Sequence, residues 1–207
     1  MQVCEYSLTL CRNKNIMQTE RQVQILKLSM KLIANKGIQG FTIKNLSKEL
    51  GISESAIYRH FENKTAILIS ILDNFKEMVS ITPPLLTESN TTAISKVEFL
   101  FSRMIEIFIE QPTIISVIFS EEIFINDVVL KGKIMEIQNI NQSRIESIIE
   151  KGQTENNVRN DVDKSTLALI FIGAFRLLVK RWYLTNNNFD LKEEGAKLIS
   201  SFKLYTK

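Results

Sequence analysis

Ser53, Glu54, Ser55 and Arg59 stand close together in the stretch SESAIYRHF. They supply the hydroxyl, carboxylate and guanidinium groups that hydrogen-bond base edges in a DNA groove. Arginine can make two bonds to guanine, a carboxylate can accept from cytosine N4, and serine serves either base. Ser55 and Arg59 are four residues apart and share a helix face, provided that Ala56, Ile57 and Phe61 turn inward. Around them Thr42, Lys44, Tyr58, His60 and Lys64 offer donors suited to phosphate oxygens, contacts that fix register without reading sequence. A solvated surface charge is the plainer reading of Arg59. His60 is the only histidine in the chain, and an isolated histidine is more often structural than a ligand.

The surrounding residues supply elements that would position these groups. Ile43, Leu46 and Leu50 recur at helical spacing, Thr42 stands where it can cap that helix, and Gly51 suits its left-handed end. Ser53 can cap a second short helix, Glu54 to His60. Helix, glycine turn and helix make the helix-turn-helix pattern, whose second member lies in the major groove. An earlier helix over about Gln18 to Lys36 presents Ile25, Leu28 and Leu32 and then Leu26, Met30 and Ile33 as a buried stripe, with Gly37 as its stop. Packed on Phe41, Ile43, Leu46, Leu50, Ile57 and Phe61, these three helices form a head over residues 18–64. Residues 1–17 show no periodicity and are expected to be a disordered arm, with Met17 an alternative start.

Residues 65–207 read as a six-helix body. Asn63 can cap a helix from Lys64 to about Ser80, a stiff lever lined by Ile67, Leu68, Ile71, Leu72, Phe75 and Val79, ended by Thr82-Pro83-Pro84. Thr91 to Glu110, Pro112 to about Ile123, and Asp127 to Lys151 closed by Gly152 follow. Asp163 caps a helix to about Thr185, and Asp190 caps the last, with Glu193 completing a capping box. The expected fold is all-α, with little glycine or proline (7 and 3 residues) to punctuate a many-stranded sheet. Phe101, Met104, Phe108, Phe119, Phe124, Phe171 and Phe175 could line a ligand cavity or simply fill the core. Arg176, amid an apolar helix, needs a partner, either Glu121 or Glu122 or an anionic ligand. The last two helices are expected to form a dimer seam, with Phe175, Leu178 and Trp182 as candidates.

Charge distribution agrees with a nucleic-acid partner. Residues 1–65 carry ten Lys/Arg against five acids, while the whole chain is only +3, so the head is basic and the body slightly acidic. Cys4 and Cys11 both lie in the arm, which gives no disulfide framework and fits a reducing cytoplasm. The longest apolar run, Leu167 to Phe175, falls well short of the roughly 20 residues that span a bilayer. Nothing suggests an enzyme: there is no nucleophile elbow, no phosphate-cradling glycine loop, no Cys/His arrangement, and no expected metal or cofactor. Glu121-Glu122 and Glu193-Glu194 are adjacent on helices, so their carboxylates diverge.

The stretch FTIKNLSKELGISESAIYRHFENKTAIL resembles the TetR family of bacterial and archaeal transcriptional regulators. It carries the aromatic-Thr pair, the apolar and glycine-ended second helix, Ser, Ile-Tyr-x-His-Phe, a lysine and an apolar fourth helix. The resemblance spans about Arg21 to Leu72, and GQTENNVRNDVDKSTLALIFIGAFRLLVKRW is similar to the family's tail more loosely. It implies a homodimer that binds a double-stranded operator and is released by a small apolar or amphipathic effector. It also implies backbone contacts for Thr42, Tyr58, His60 and Lys64. The alternative is a DNA-binding regulator without a small-molecule ligand, controlled by a protein partner or constitutive.

Overall fold

The computed structural model describes residues 18–80, 91–120, 124 and 126–205, and among these no strand occurs. The nine described α-helices are α1 (Glu20–Gly40), α2 (Ile43–Leu50), α3 (Glu54–Tyr58), α4 (Lys64–Ser80), α5 (Ala93–Glu110), α6 (Thr113–Ile118), α7 (Val128–Thr154), α8 (Lys164–Leu184) and α9 (Leu191–Phe202). A 3-10 turn, Lys203–Tyr205, follows. The chain divides into two compact units. One comprises the described residues of Met1–Met78 and Ser116–Ile134, the other those of Val79–Ile115 and Met135–Lys207. The expected arm, the Thr82-Pro83-Pro84 stop and Glu121-Glu122 lie outside the described residues.

In the first unit, α1 packs on α2 and α2 on α3, around Ile25, Leu32, Phe41, Leu46, Ile57 and Phe61. Thr19 caps α1 through a capping box with Gln22. Gly37, at φ 66° and ψ 178°, interrupts its helical geometry where a stop was expected. All six apolar residues expected to line α4 are buried. Asn63 caps its start, its Oδ1 accepting from the Ala66 N–H at 2.8 Å. Gln18 and Asn74 exchange two amide hydrogen bonds of 3.0 and 3.2 Å, tying the residue before the α1 cap to the middle of α4. Two further contacts join α4 to the start of α7: Thr65 Oγ1 donates to Asp127 at 3.3 Å, and Lys133 lies 2.7 Å from Asp73.

In the second unit, α5, α8 and α9 pack on one another. Asp163 and Asp190 cap α8 and α9 as expected. Glu193, expected to complete a box with Asp190, instead pairs with Lys197 at 2.8 Å. Arg144 of α7 reaches the end of α4: its Nη1 donates to the Val79 carbonyl and its Nη2 to the Ser80 carbonyl, the latter at 3.0 Å. Those carbonyls are among the four that a helix end leaves without intrahelical partners, so α4 takes its C-cap from another helix. Trp182 donates its indole N–H to the Phe189 carbonyl at 3.0 Å, closing the turn between α8 and α9.

Several helix ends differ from the sequence reading. α3 stops at Tyr58 rather than His60, and α6 stops at Ile118. Gly152 does not close α7, which runs on to Thr154. It permits close approach instead, because a Cβ there would come within 2.5 Å of both Ala93 Cβ and Val158 Cγ2. Gly152→Ala is therefore expected to lower stability by about 1–3 kcal/mol through overpacking, read as a lower urea midpoint with unchanged slope.

Candidate nucleic-acid interface

Thr42 Oγ1 accepts from the Asn45 N–H at 3.1 Å and starts α2. At the other end Gly51, at φ 65° and ψ 32°, takes the left-handed conformation that turns the chain toward α3. A side chain here would clash with its own backbone, which is why glycine suits a helix end of this kind. Ser53 Oγ then accepts from the Ala56 N–H at 3.2 Å and opens α3. Local chemistry at Thr42, Gly51 and Ser53 thus sets the angle between the two helices. Burial of Leu46 and Ile57, both fully enclosed, holds it.

Ser53, Glu54, Ser55 and Arg59 are all exposed. Arg59 follows the last helical residue but keeps helical backbone angles, φ −70° and ψ −19°. Its N–H still donates to the Ser55 carbonyl at 3.2 Å. The face shared by Ser55 and Arg59 therefore survives the early end of α3. Ser55 Oγ lies 2.9 Å from Ser53 Oγ, so the capping serine also orients its neighbour. Glu54 sits in the first turn of α3, where the helix dipole favours a negative charge.

Of the residues expected at phosphates, Thr42 and Lys44 are exposed, and His60 is half-buried. Tyr58 is 50% exposed, unusual for a ring in a head this small. Lys64 is partly engaged within the head: its Nζ donates to the Ile38 carbonyl at 3.2 Å and stands 5.2 Å from the centre of the Phe41 ring. Partial burial holds its pKa below the ordinary lysine value. Gln22 was not anticipated. It completes the α1 cap and points its amide at the His60 carbonyl, 3.4 Å away. The capping-box spacing of Thr19 and Gln22 was the available signal.

The body candidates separate into two groups. Phe119 and Phe124 belong to the first unit, half-buried and buried respectively. Phe101, Met104, Phe108, Phe171, Phe175 and Arg176 belong to the second. There Phe101 stacks on Phe175 with ring centres 4.5 Å apart, and Phe171 on Phe202 at 4.1 Å. Phe101 meets Phe202 edge-on at 6.0 Å, and Phe108 lies 6.5 Å from Phe175. Phe202 was missed, although its spacing from Leu191, Gly195 and Ile199 marks it as a core position of α9. Met104 and Arg176 are half-buried at the edge, and the two acids expected beside Arg176 lie outside the described residues.

Of the three seam candidates, Trp182 and Phe175 are buried within the chain, at 5% and 6% exposure, and Leu178 is half-buried. The outer face of α8 exposes Leu169, Ile170, Leu177 and Leu184. Gly173 is exposed among them, with nothing within 4 Å of where its Cβ would be. Among the described residues, no helix is long and apolar enough to cross a membrane, and no cluster of His, Cys, Asp or Glu could hold a metal ion.

A capped helix-turn-helix followed by a helical body defines a DNA-binding regulator of transcription. Residues 25–71 match the family of bacterial regulatory proteins named for tetR, and residues 99–206 match the C-terminal region of MAATS-type transcriptional repressors. The chain belongs to the TetR family. It is 22% identical over 190 residues to a probable acrEF/envCD operon repressor of Escherichia coli, covering 86% of this chain and 83% of the relative. The fold resembles that of the fatty acid degradation regulator FadR from Bacillus halodurans, with a TM-score of 0.78, 17% identity, and 91% and 97% of the two chains covered. It also resembles the regulator FadR from Bacillus subtilis, solved in complex with stearoyl-CoA. That comparison gives a TM-score of 0.71 and 20% identity over 86% and 95% of the chains.

Proposed function

We propose that the protein is a cytoplasmic homodimeric repressor whose two heads enter successive major grooves of an operator, about 34–36 Å apart. A small apolar or amphipathic effector in the body releases it. The observation that carries the DNA reading is the capped α3, which exposes Ser53, Glu54, Ser55 and Arg59 beside a half-exposed Tyr58. Ser55 and Arg59 read bases. Thr42, Lys44, Tyr58, His60 and Lys64 hold phosphates, Lys64 with the donors left after its bond to Ile38. The head formed by residues 18–64 is the DNA-binding region, and the rest of the chain carries regulation and pairing.

The apolar face of α8 is the pairing surface, and its occupant is a second copy of the chain. Four exposed leucine and isoleucine side chains on one helix favour burial against a matching face. In the second unit the effector candidates are Phe101, Met104, Phe108, Phe171, Phe175 and Arg176, with Phe119 and Phe124 retained from the first. The stearoyl-CoA complex of the B. subtilis relative makes long-chain acyl thioesters the first ligands to try. A second reading, a regulator controlled by a protein partner or constitutive, is favoured by the aromatic stack, whose rings fill the space among themselves.

Paired substitutions test the DNA reading. Tyr58→Ala should weaken binding roughly tenfold to operator and unrelated duplex alike, since phosphate contacts carry no sequence information. Arg59→Ala should instead relax preference at one base position by about 1–3 kcal/mol. Selection from a random duplex pool followed by titration measures both. Unchanged binding by both variants rejects the assignment. A thermal-shift screen with acyl thioesters separates the effector reading from its rival, because a ligand bound only by the folded state raises Tm.

A further inference from the structure

α7 carries a glycine that neither backbone nor packing requires. Gly132 lies inside the helix Val128–Thr154 and is exposed. Among the described glycines, positive φ belongs to Gly37 and Gly51 and not to Gly132. A Cβ built on it would meet nothing within 4 Å. Glycine inside a helix disfavours that helix roughly two- to fivefold relative to alanine, and here no close approach compensates.

Its position suggests a use. The boundary between the two compact units crosses α7 between Ile134 and Met135, two residues beyond Gly132. Contacts to α4 stand on either side of the glycine within the first unit. Before it, Asp127 caps α7 through the Val129 and Leu130 N–H groups and also accepts from Thr65. Immediately after it, Lys133 meets Asp73 at 2.7 Å, with 31% and 28% of the two side chains exposed. A bend at Gly132 carries Lys133 away from Asp73 while Asp127 stays on Thr65.

We propose that Gly132 is a hinge in α7 and that the Asp73–Lys133 ion pair is the latch that holds it straight. As a regulatory device it rests on the reading that the head answers to the body. The closed latch fixes α4, whose first turn adjoins the head, and bending of α7 frees it. The exposed glycine supplies the soft point and the ion pair the restoring contact. Each can be altered without touching a buried apolar residue.

The test is amide hydrogen exchange on the full chain without DNA, with operator affinity measured in parallel. Residues 132–136, whose helical hydrogen bonds span the glycine, should exchange on the order of tenfold faster than residues 140–150 of the same helix. Gly132→Ala should slow them by a similar factor. Lys133→Met should speed them several-fold and weaken operator binding roughly three- to tenfold, and Lys133→Arg should restore both, as a retained partly buried ion pair would. Equal protection along α7, or exchange indifferent to both Gly132→Ala and Lys133→Met, overturns the hinge. Exchange that follows the expected pattern in a protein that binds no duplex upholds the hinge and rejects the DNA reading. Firm duplex binding with flat exchange rejects the hinge alone.

Discussion

Leu177→Asp is expected, on the proposed pairing through α8, to leave the chain monomeric and to reduce operator affinity by two or more orders of magnitude. Leu177 is 62% exposed on the outer face of α8, in line with Leu184 and flanked by Ile170 and Gly173. If two copies pair through this face, each aspartate enters an apolar seam and meets its symmetry mate, so both desolvation and like-charge repulsion oppose association. The protomer should keep its fold, since Leu177 contributes little to its interior. A dimer holds its second head near the second half-site at high effective concentration, and losing that link costs roughly 10²–10⁴ in affinity. Sedimentation and operator titration read the two effects. A monomeric variant with undiminished operator affinity would separate DNA binding from pairing, and a variant that still dimerises would place the seam elsewhere.

Phe171→Ala should be the most destabilising single change in the second unit, by about 3–5 kcal/mol. Phe171 is 1% exposed and stacked on Phe202 at 4.1 Å, with 21° between the ring planes. Truncation removes one ring of a series of contacts that runs from Phe171 through Phe202 and Phe101 to Phe175. It loses the transfer energy of the ring and a stacking increment of about 0.5–1.5 kcal/mol. For a chain of this size that corresponds to a fall in Tm of very roughly 10 °C. If Phe171→Ala melts within a degree or two of the parent, the stack is not what holds α5, α8 and α9 together.

These two residues also mark where sequence reading succeeded and where it could not. The caps were legible because they are local: Thr42, Ser53, Asn63, Asp163 and Asp190 each act on an N–H two or three residues ahead, and each does so in the structure. The left-handed turn at Gly51 was legible for the same reason. α3 was read two residues too long because inward spacing continues to Phe61, while the turn tightens at His60, whose N–H donates to the Ile57 carbonyl only three residues back. Gly152 was misread as a stop because a glycine signals either an end or a close approach, and only the neighbours Ala93 and Val158 decide between them.

The burial of the seam candidates was not legible for a different reason. α8 is apolar on both faces, with Phe171 and Phe175 turned inward and Leu169 and Leu177 outward. Periodicity allocates residues only where one face is polar, so Phe175 and Trp182 looked as eligible for a seam as Leu177. The shared, exposed face of Ser55 and Arg59 was legible from their spacing. The anchoring of Lys64 on Ile38 and the latch between Asp73 and Lys133 were not, since each joins residues far apart in the chain.

The indole bond that closes the turn after α8 gives the protein an optical handle. The chain has one tryptophan, and Trp182 is 5% exposed with its N–H held by the Phe189 carbonyl. Ultraviolet emission excited at the red edge of the absorption band therefore comes from a single place in the second unit. Loosening of the α8–α9 turn will shift that light to longer wavelength. Events confined to the head will leave its colour unchanged, so the second unit can be followed by itself without attaching a dye.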